Sequence, residues 1–348
     1  MILGLATELK LRKDELQKQE IKSVYFGGGT PSVLSAKEID FLLQTVTQHY
    51  KIAKNAEITI EANPDDLTEL YIKELSTTAI NRLSVGVQSF FDDDLKIMNR
   101  AHSAKEALTA LKFAKNYFNN ISIDLIYGMP NMSLEKWSQN IDIALDLQIP
   151  HISSYALTVE HKTVLQHKVQ KGEITMPNEV ETEAHFNALV SKLTQSEYIH
   201  YELSNFGKEN YFSVNNTNYW LGGSYIGIGP GAHSFNGKNR SWNIANNNKY
   251  ITSINKNKRE FEDEVLTPVD LYNEYIMTGL RTQFGVSAEV IKNRFGAEVL
   301  GCFKTNIQKH INNNTIDQLE STYKTTLKGK FLSDGISSDL FLVNLEKY

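Results

Sequence analysis

A chain of 348 residues with 41% hydrophobic and 22% charged side chains has globular composition, and its length accommodates one large domain and a smaller one. The net charge of −5 argues against a nucleic-acid-binding surface, and no apolar run approaches the roughly 18 residues of a membrane-spanning helix. A single cysteine, Cys302, excludes a disulfide framework or a cysteine metal site built within this chain. Together with a start that lacks a signal-peptide pattern, it predicts a cytosolic protein.

The apolar spacing predicts a helix over 2–19 and a strand over 21–26, followed by Gly27-Gly28-Gly29-Thr30-Pro31-Ser32. Consecutive glycines weaken a strand or helix by about 0.5–1 kcal/mol each, so they usually mark positive φ or close backbone approach. Two readings stay open here: a bare strand-to-helix turn, or a pocket floor whose backbone N–H groups meet a polar ligand. The stretch has neither the G-x-G-x-x-G spacing of a dinucleotide site nor the Gly-Lys-Ser/Thr of a P-loop. A helix over 36–50, a strand over 57–61, a turn at 63–66 and a helix from 67 to 77 come next. A strand over 82–87 ends in Gln88-Ser89-Phe90, and a helix over 103–117 opens with Ser103 and Glu106 in capping-box spacing. A strand over 121–126, a helix from Ser133 to 147 and a strand over 151–156 complete the alternation.

Strands alternating with helices of this length predict parallel βα units, and this many predict a barrel or part of one. Chemistry in such barrels sits where strands end at the C-terminal face. That rule selects Thr30, Glu61, Asn63, Gln88, Ser89, Asp124 and Tyr155. Glu61 closes the run Ile58-Thr59-Ile60, and Asp124 lies inside Ile121–Ile126. A buried carboxylate must find partners. Either each pairs with an Arg or Lys, or the two take hydroxyl groups of a ribose-like ligand.

Beyond Ala156 a helix over 180–193 and a strand over 198–203 are predicted, followed by an irregular aromatic stretch over 205–250. It contains the Gly-rich run Ile226 to His233, with His233 as a packed loop histidine or a ligand-facing one. From Thr267 onward the pattern is helical, over 270–280, 287–295 and 301–312, with a turn or hairpin at 327–332. This tail reads as a small helical or winged-helix-like domain. No repeat of fixed period is present.

Eight segments in order, YFGGGTPSVLS, TIEANPDDLT, NRLSVGVQSF, IMNRAHS, SIDLIYGMP, ISSYALTVE, NYWLGGSYIGIGPGAHSF and LKGKFLSDGIS, resemble the HemW-type haem chaperones. These belong to the oxygen-independent coproporphyrinogen oxidase group of radical S-adenosylmethionine (SAM) proteins. The resemblance implies an α/β fold: a partial (β/α)6 barrel over 1–210, here without its first strand. An aromatic, Gly-rich extension with an NNTNYW loop would follow over 211–265, and a small mainly helical domain over 266–348. It implies SAM as cofactor, with Gly28, Gly29 and Thr30 at its methionyl end and Glu61 and Asp124 on its hydroxyl groups. Gln88 and Arg100 are further SAM positions, and Ala156 and His233 lie near the adenosine. The implied partners are haem or a porphyrin and haem-accepting proteins, with no nucleic acid and no membrane span.

Two departures qualify the resemblance. Members of the group carry Cys-x3-Cys-x2-Cys after a first barrel strand, and those thiolates hold a [4Fe–4S] cluster. Nothing in this chain replaces them, so it is expected to hold no cluster and to perform no radical cleavage; neither a catalytic nor a metal-ligating residue is assigned. An N-terminal truncation, or a start placed too far downstream, is the expected cause, leaving an apolar sheet edge prone to aggregation. The second departure lies in the family's haem signature His-Asn-x-x-Tyr-Trp. Here Asn216, Tyr219 and Trp220 agree, but Asn215 stands at the histidine position and is a poor iron ligand. Stacking on Tyr219 and Trp220 is what remains. A coproporphyrinogen III oxidase and a redox-inert SAM- or haem-binding module are the other functions the sequence leaves open.

Overall fold

The computed structural model describes residues 1–16 and 19–343. Among them one curled sheet is built from β1 (Ile21–Phe26), β2 (Ile52–Ala62), β3 (Arg82–Gln88), β4 (Asn120–Tyr127), β5 (His151–Ala156), β6 (Ile199–Glu202) and β7 (Asn205–Gly207), in the order β1-β2-β3-β4-β5-β7-β6. The first five strands are parallel, and β7 and β6 add antiparallel. The helices of this part are α1 (Ile2–Leu11), α2 (Ala36–His49), α3 (Glu69–Leu75), α4 (Asp92–Ile97), α5 (Ala104–Ala114), α6 (Leu134–Asp146), α7 (Val164–Gln170) and α8 (Glu179–Gln195). Ser35, Ser103 and Asn178 open α2, α5 and α8 with reciprocal capping boxes.

The period of two along each strand decides which face is which. Ile58, Ile60, Leu83, Val85, Val87, Ile121, Ile123, Leu125 and Ile152 bury one face against Leu43, Ile72, Leu111, Trp137 and Leu189 of the surrounding helices. Each such aliphatic side chain contributes about 1.5–3 kcal/mol on full burial. The intervening residues point into the curl and are polar. Register aligns them in rows, Glu61 beside Ser84 and Ser84 beside Ser122, with Thr59, Arg82 and Asn120 one row below. Both ends of the concave face are therefore polar, and the C-terminal end carries the cleft described below.

An extension follows the sheet: α9 (Val214–Trp220), β8 (His233–Phe235), β9 (Asn239–Asn243), α10 (Asn247–Ile254) and β10 (Phe261–Val265), the strands ordered β10-β9-β8. The last part contains α11 (Pro268–Leu280), β11 (Val286–Ser287), α12 (Ala288–Phe295), α13 (Ala297–Asn312), β12 (Ile316–Leu319), β13 (Thr322–Thr325), α14 (Leu327–Phe331) and α15 (Ser333–Leu340), with the sheet order β11-β13-β12. It has its own core around Tyr272, Ile276, Phe303, Ile307 and Tyr323. Gln283 donates its N–H to Tyr201 O at 2.9 Å, and Lys330 Nζ donates to His200 O at 3.4 Å, joining this part to β6.

Several elements differ from the sequence expectation. The first helix ends at Leu11 rather than at 19, and the expected stretch at 17–18 lies outside the described residues. Arg12 turns the chain there, because its guanidinium is drawn inward to Glu8 (3.0 Å) and to Gly227 O (2.6 Å). α4 and α7 were not expected; α7 buries no residue, so it has no apolar stripe to read. The stretch 205–250 is not irregular, for it contains β7, α9, β8, β9 and the start of α10. The NNTNYW segment is a helix rather than a loop. Residues 327–331 are the helix α14, and the hairpin lies just before it in β12 and β13. β1 is the terminal strand, as expected, but α9 lies against it, and Val24 and Phe26 pack on α1 through Leu5 and Leu9. Covering an edge with helices is a common protection against strand addition.

Candidate functional site

The cleft at the C-terminal ends of β1 to β4 begins with the glycine turn. Gly28 has φ +81°, in the left-handed region that favours glycine, and its N–H donates to Glu61 Oε2 at 3.3 Å. A Cβ at Gly27 would lie 2.6 Å from the Tyr25 ring and 2.9 Å from the Glu61 carboxyl carbon, so only glycine lets the Glu61 side chain fold over the turn. Tyr25 donates its hydroxyl to Glu61 Oε1 at 2.8 Å. Burial and the Glu61 charge both push the Tyr25 hydroxyl well above its ordinary pKa, so it stays a donor.

β3 contributes the opposite wall. Gln88 sits at φ +69°, where the β3–β4 register slips, and this left-handed residue ends the strand. Arg100 Nη2 reaches Asn63 Oδ1 at 2.8 Å and Gly86 O at 3.3 Å. A Cβ at Gly86 would fall 2.9 Å from Gln88 Nε2 and 3.3 Å from Arg100 Nη2, so that glycine makes room for both side chains. Asp124 projects from β4 into the same space. Burial pushes its carboxyl up to about 6, the Ser153 hydroxyl opposes that rise, and the Glu61 charge adds to it.

Gly29, Thr30, Glu61, Gln88, Arg100 and Asp124 thus line one cavity of about 140 Å³, with Asn63, Ser84 and Gly86. Gly28 stands at its rim through the Glu61 hydrogen bond. Ala156 and His233 do not line it. Ala156 ends β5 beside Tyr127 and packs on the apolar core, whereas His233 is exposed on β8 and stacks on Trp242 at 5.8 Å. Of the other strand-end residues, Ser89 turns away into a buried network with Asp94 and Asn140. Strand-end reasoning missed Tyr25, Ser84 and Ser153. The signal that finds them is alternation, because each shares the inward face with Glu61 or Asp124.

The N-terminal end of the concave face holds a second, buried polar group that the sequence did not flag. His151 meets Ser122 Oγ at 2.7 Å through Nδ1 and Tyr201 OH at 2.8 Å through Nε2. Burial holds this imidazole neutral, well below the ordinary histidine pKa. Glu57 of β2 faces Arg82 at 3.9 Å and accepts from Val214 N at 3.1 Å, Asn215 N at 3.2 Å and Ser213 Oγ at 3.4 Å. A barrel carboxylate therefore sits at the N-terminus of α9, where it satisfies free backbone N–H groups. Asn215 and Asn216 lie in the first turn, and Asn216 N donates to the Ser213 cap at 3.2 Å. At the other end Tyr219 meets Tyr225 edge-on at 4.5 Å, and the Arg281 guanidinium lies 6.0 Å from the Trp220 ring centre.

The cleft suits a polar nucleoside-like ligand such as SAM. Two carboxylates that make no salt bridge among the described residues line it, and a Cβ at Gly28 or Gly29 would meet nothing within 4 Å, so space is open above the turn. The residues do not suit a [4Fe–4S] cluster. The only thiol, Cys302, is on α13 against the C-terminal core, and no group of three His, Cys, Asp or Glu among the described residues could hold a metal ion. No helix among the described residues is long and apolar enough to cross a membrane.

Comparison with known proteins accords with this arrangement. Residues 6–144 match the Radical SAM superfamily and residues 266–332 the HemN C-terminal domain. The chain is 32% identical over 325 residues to the heme chaperone HemW of Lactococcus lactis, covering 93% of this chain and 86% of that one. It is 33% identical over 321 residues to the heme chaperone HemW of Bacillus subtilis, covering 91% and 84%. Among solved structures it superposes on the coproporphyrinogen III oxidase HemN of Escherichia coli, a radical SAM enzyme, with a TM-score of 0.81 at 20% identity. That superposition covers 98% of this chain and 82% of HemN and shows a shared fold. With identities above 30% over most of both chains, this chain belongs to the HemW family within the radical SAM superfamily.

Proposed function

We propose that this protein is a haem chaperone, which binds haem as cargo on α9 and passes it to other proteins, with SAM held in the strand-end cleft. The observation that carries this reading is the seating of α9. Its N-terminus is bonded to a buried carboxylate of the barrel, and Tyr219 remains 45% exposed beside Trp220 at its other end. A flat aromatic macrocycle gains from stacking on such side chains. The naming of the Lactococcus lactis and Bacillus subtilis relatives as heme chaperones supports it.

In this reading Gly28, Gly29 and Thr30 receive the methionyl end of SAM. Glu61 and Asp124 accept its hydroxyl groups, and Gln88 and Arg100 contact the remainder. Ala156 and His233 rest on the resemblance alone, since neither lines the cleft. SAM supplies a sulfonium group; the residues of this chain bind and orient it and provide no thiolate through which an electron would reach it. The division into 1–210, 211–265 and 266–348 corresponds to a SAM-binding barrel, a haem-presenting extension and a docking domain for the recipient. Without the motif histidine, iron ligation by Asn215 contributes little, and stacking dominates.

Titration of the purified protein with haemin, followed by absorbance, tests the proposal. Wild type should bind, and Tyr219→Ala with Trp220→Ala should bind on the order of tenfold more weakly, given about 0.5–1.5 kcal/mol per aromatic contact beyond area burial. Equal affinity in the double variant would remove α9 as the haem site.

A further inference from the structure

The proposed stacking face of α9 has a cation beside it. Arg281 caps the C-terminus of α11 and places its guanidinium 6.0 Å from the Trp220 ring centre. One of its Nη2 donors meets Asp334 of α15, whose side chain is 76% exposed, while its buried Nε has no hydrogen-bond partner among the described residues. A planar guanidinium can lie near an indole and fork onto a carboxylate at once, which a lysine ammonium cannot do. An exposed carboxylate pair of this kind is worth little, so Asp334 is easily exchanged for another carboxylate.

We propose that Arg281 is the anchor for a carboxylate of the tetrapyrrole bound on α9, taking a propionate group in place of Asp334 while the ring stacks on Tyr219 and Trp220. This rests on the reading of α9 as the haem site and extends it to the C-terminal domain, which then supplies one side of the site. The neighbouring charges fit a single anionic contact. Glu202 lies close enough to interact with Arg281, but burial pushes its carboxyl up to about 7 against the opposing pull of the Ser204 N–H, Lys330 and Arg281, so it is a weaker competitor than an ionised propionate. Arg240, the next cation along this face, is already paired with Glu274 of α11. Arg281 is thus a cation whose salt-bridge partner among the described residues, Asp334, is exposed.

The test compares haemin with haemin dimethyl ester, which keeps the ring and iron and loses both carboxylates. Wild type should bind haemin more tightly than the ester. Arg281→Gln should weaken haemin on the order of tenfold and leave the ester unchanged, the size expected for one lost charge-assisted hydrogen bond. Asp334→Asn, a surface change that leaves the fold intact, should tighten haemin by freeing the guanidinium and leave the ester unchanged. If both variants keep the wild-type ratio of haemin to ester affinity, Arg281 is not the anchor, although α9 remains the haem site. If wild type binds neither compound, the haem reading itself fails, and this proposal with it.

Discussion

Glu57 accepts the backbone N–H of Asn215 at 3.2 Å, so a carboxylate inside the barrel sits at the N-terminus of a helix 158 positions further along the chain. Removing its charge should loosen α9 by about 1–2 kcal/mol, the scale of a lost cap and its dipole interaction. In Glu57→Gln, amide exchange at Val214, Asn215 and Asn216 should accelerate and haemin affinity should fall. SAM affinity should be unchanged, since Glu57 is two rows below Glu61 and does not line the cleft. Unaltered exchange at those three amides would show that Ser213 alone holds the helix.

Glu61→Gln and Asp124→Asn should each weaken SAM by on the order of tenfold while leaving the melting temperature within a few degrees, because both side chains end in the cleft rather than in the core. Calorimetric titration reads the first effect and thermal unfolding the second. Unchanged affinity in both variants would remove the hydroxyl-binding assignment.

Asp124 also sets a pH dependence. Its folded carboxyl titrates at about 6, above the ordinary aspartate value of 3.8, so it is protonated below that pH and ionised above. The ionised form is the stronger acceptor for a hydroxyl. SAM affinity should therefore rise with pH between about 5 and 7, and Asp124→Asn should flatten that rise. A rise of the same size in the variant would assign it to another group.

The glycine turn separates packing from binding. Gly27→Ala should displace Glu61 and reduce SAM binding, because the new methyl would lie 2.6 Å from the Tyr25 ring and 2.8 Å from Glu61 Oε1. Gly29→Ala meets nothing within 4 Å and should leave stability unchanged. If the methionyl end of SAM occupies that space, Gly29→Ala should still lose SAM affinity. Full retention of SAM binding by Gly29→Ala would move the methionyl end elsewhere.

His200 predicts acid sensitivity. It stacks on Phe206 at 4.1 Å, and burial lowers its folded pKa to about 3, against about 6.5 in the unfolded chain. The unfolded state binds the extra proton between those values, so stability is complete above about pH 6.5 and declines as pH falls toward 3. His151 has the same sign. His200→Gln should reduce the slope of melting temperature against pH in that window, and an unchanged slope would place the acid sensitivity in other groups.

The barrel and half of its cleft were legible because the information is local. Strands alternating with helices, the capping box at Ser103, and polar residues closing apolar strands are all read within a few neighbouring positions, and the strand-end rule led directly to Thr30, Glu61, Gln88 and Asp124. Arg100 came from the resemblance, since nothing in its own segment shows that Asn63 and Gly86 are its partners. The helix α9 was illegible for a related reason. Val214 to Trp220 has no apolar stripe, and its first turn is stabilised by Glu57 from the far side of the sequence. His151, Tyr201 and Ser122 look like ordinary strand residues until the curl of the sheet closes them into one hydrogen-bonded row.

The sequence by itself determined the βα alternation, the polar strand ends, the family and the lack of thiolates to hold a cluster in this chain, because each depends on residue identity and short spacing. Only the tertiary structure decided that the haem-motif segment is a helix fastened to the barrel, that Ala156 and His233 stand outside the cleft, and that Arg281 lies beside Trp220. Those are meetings between residues distant in sequence, and the curvature of the sheet and the packing of the C-terminal domain bring them about.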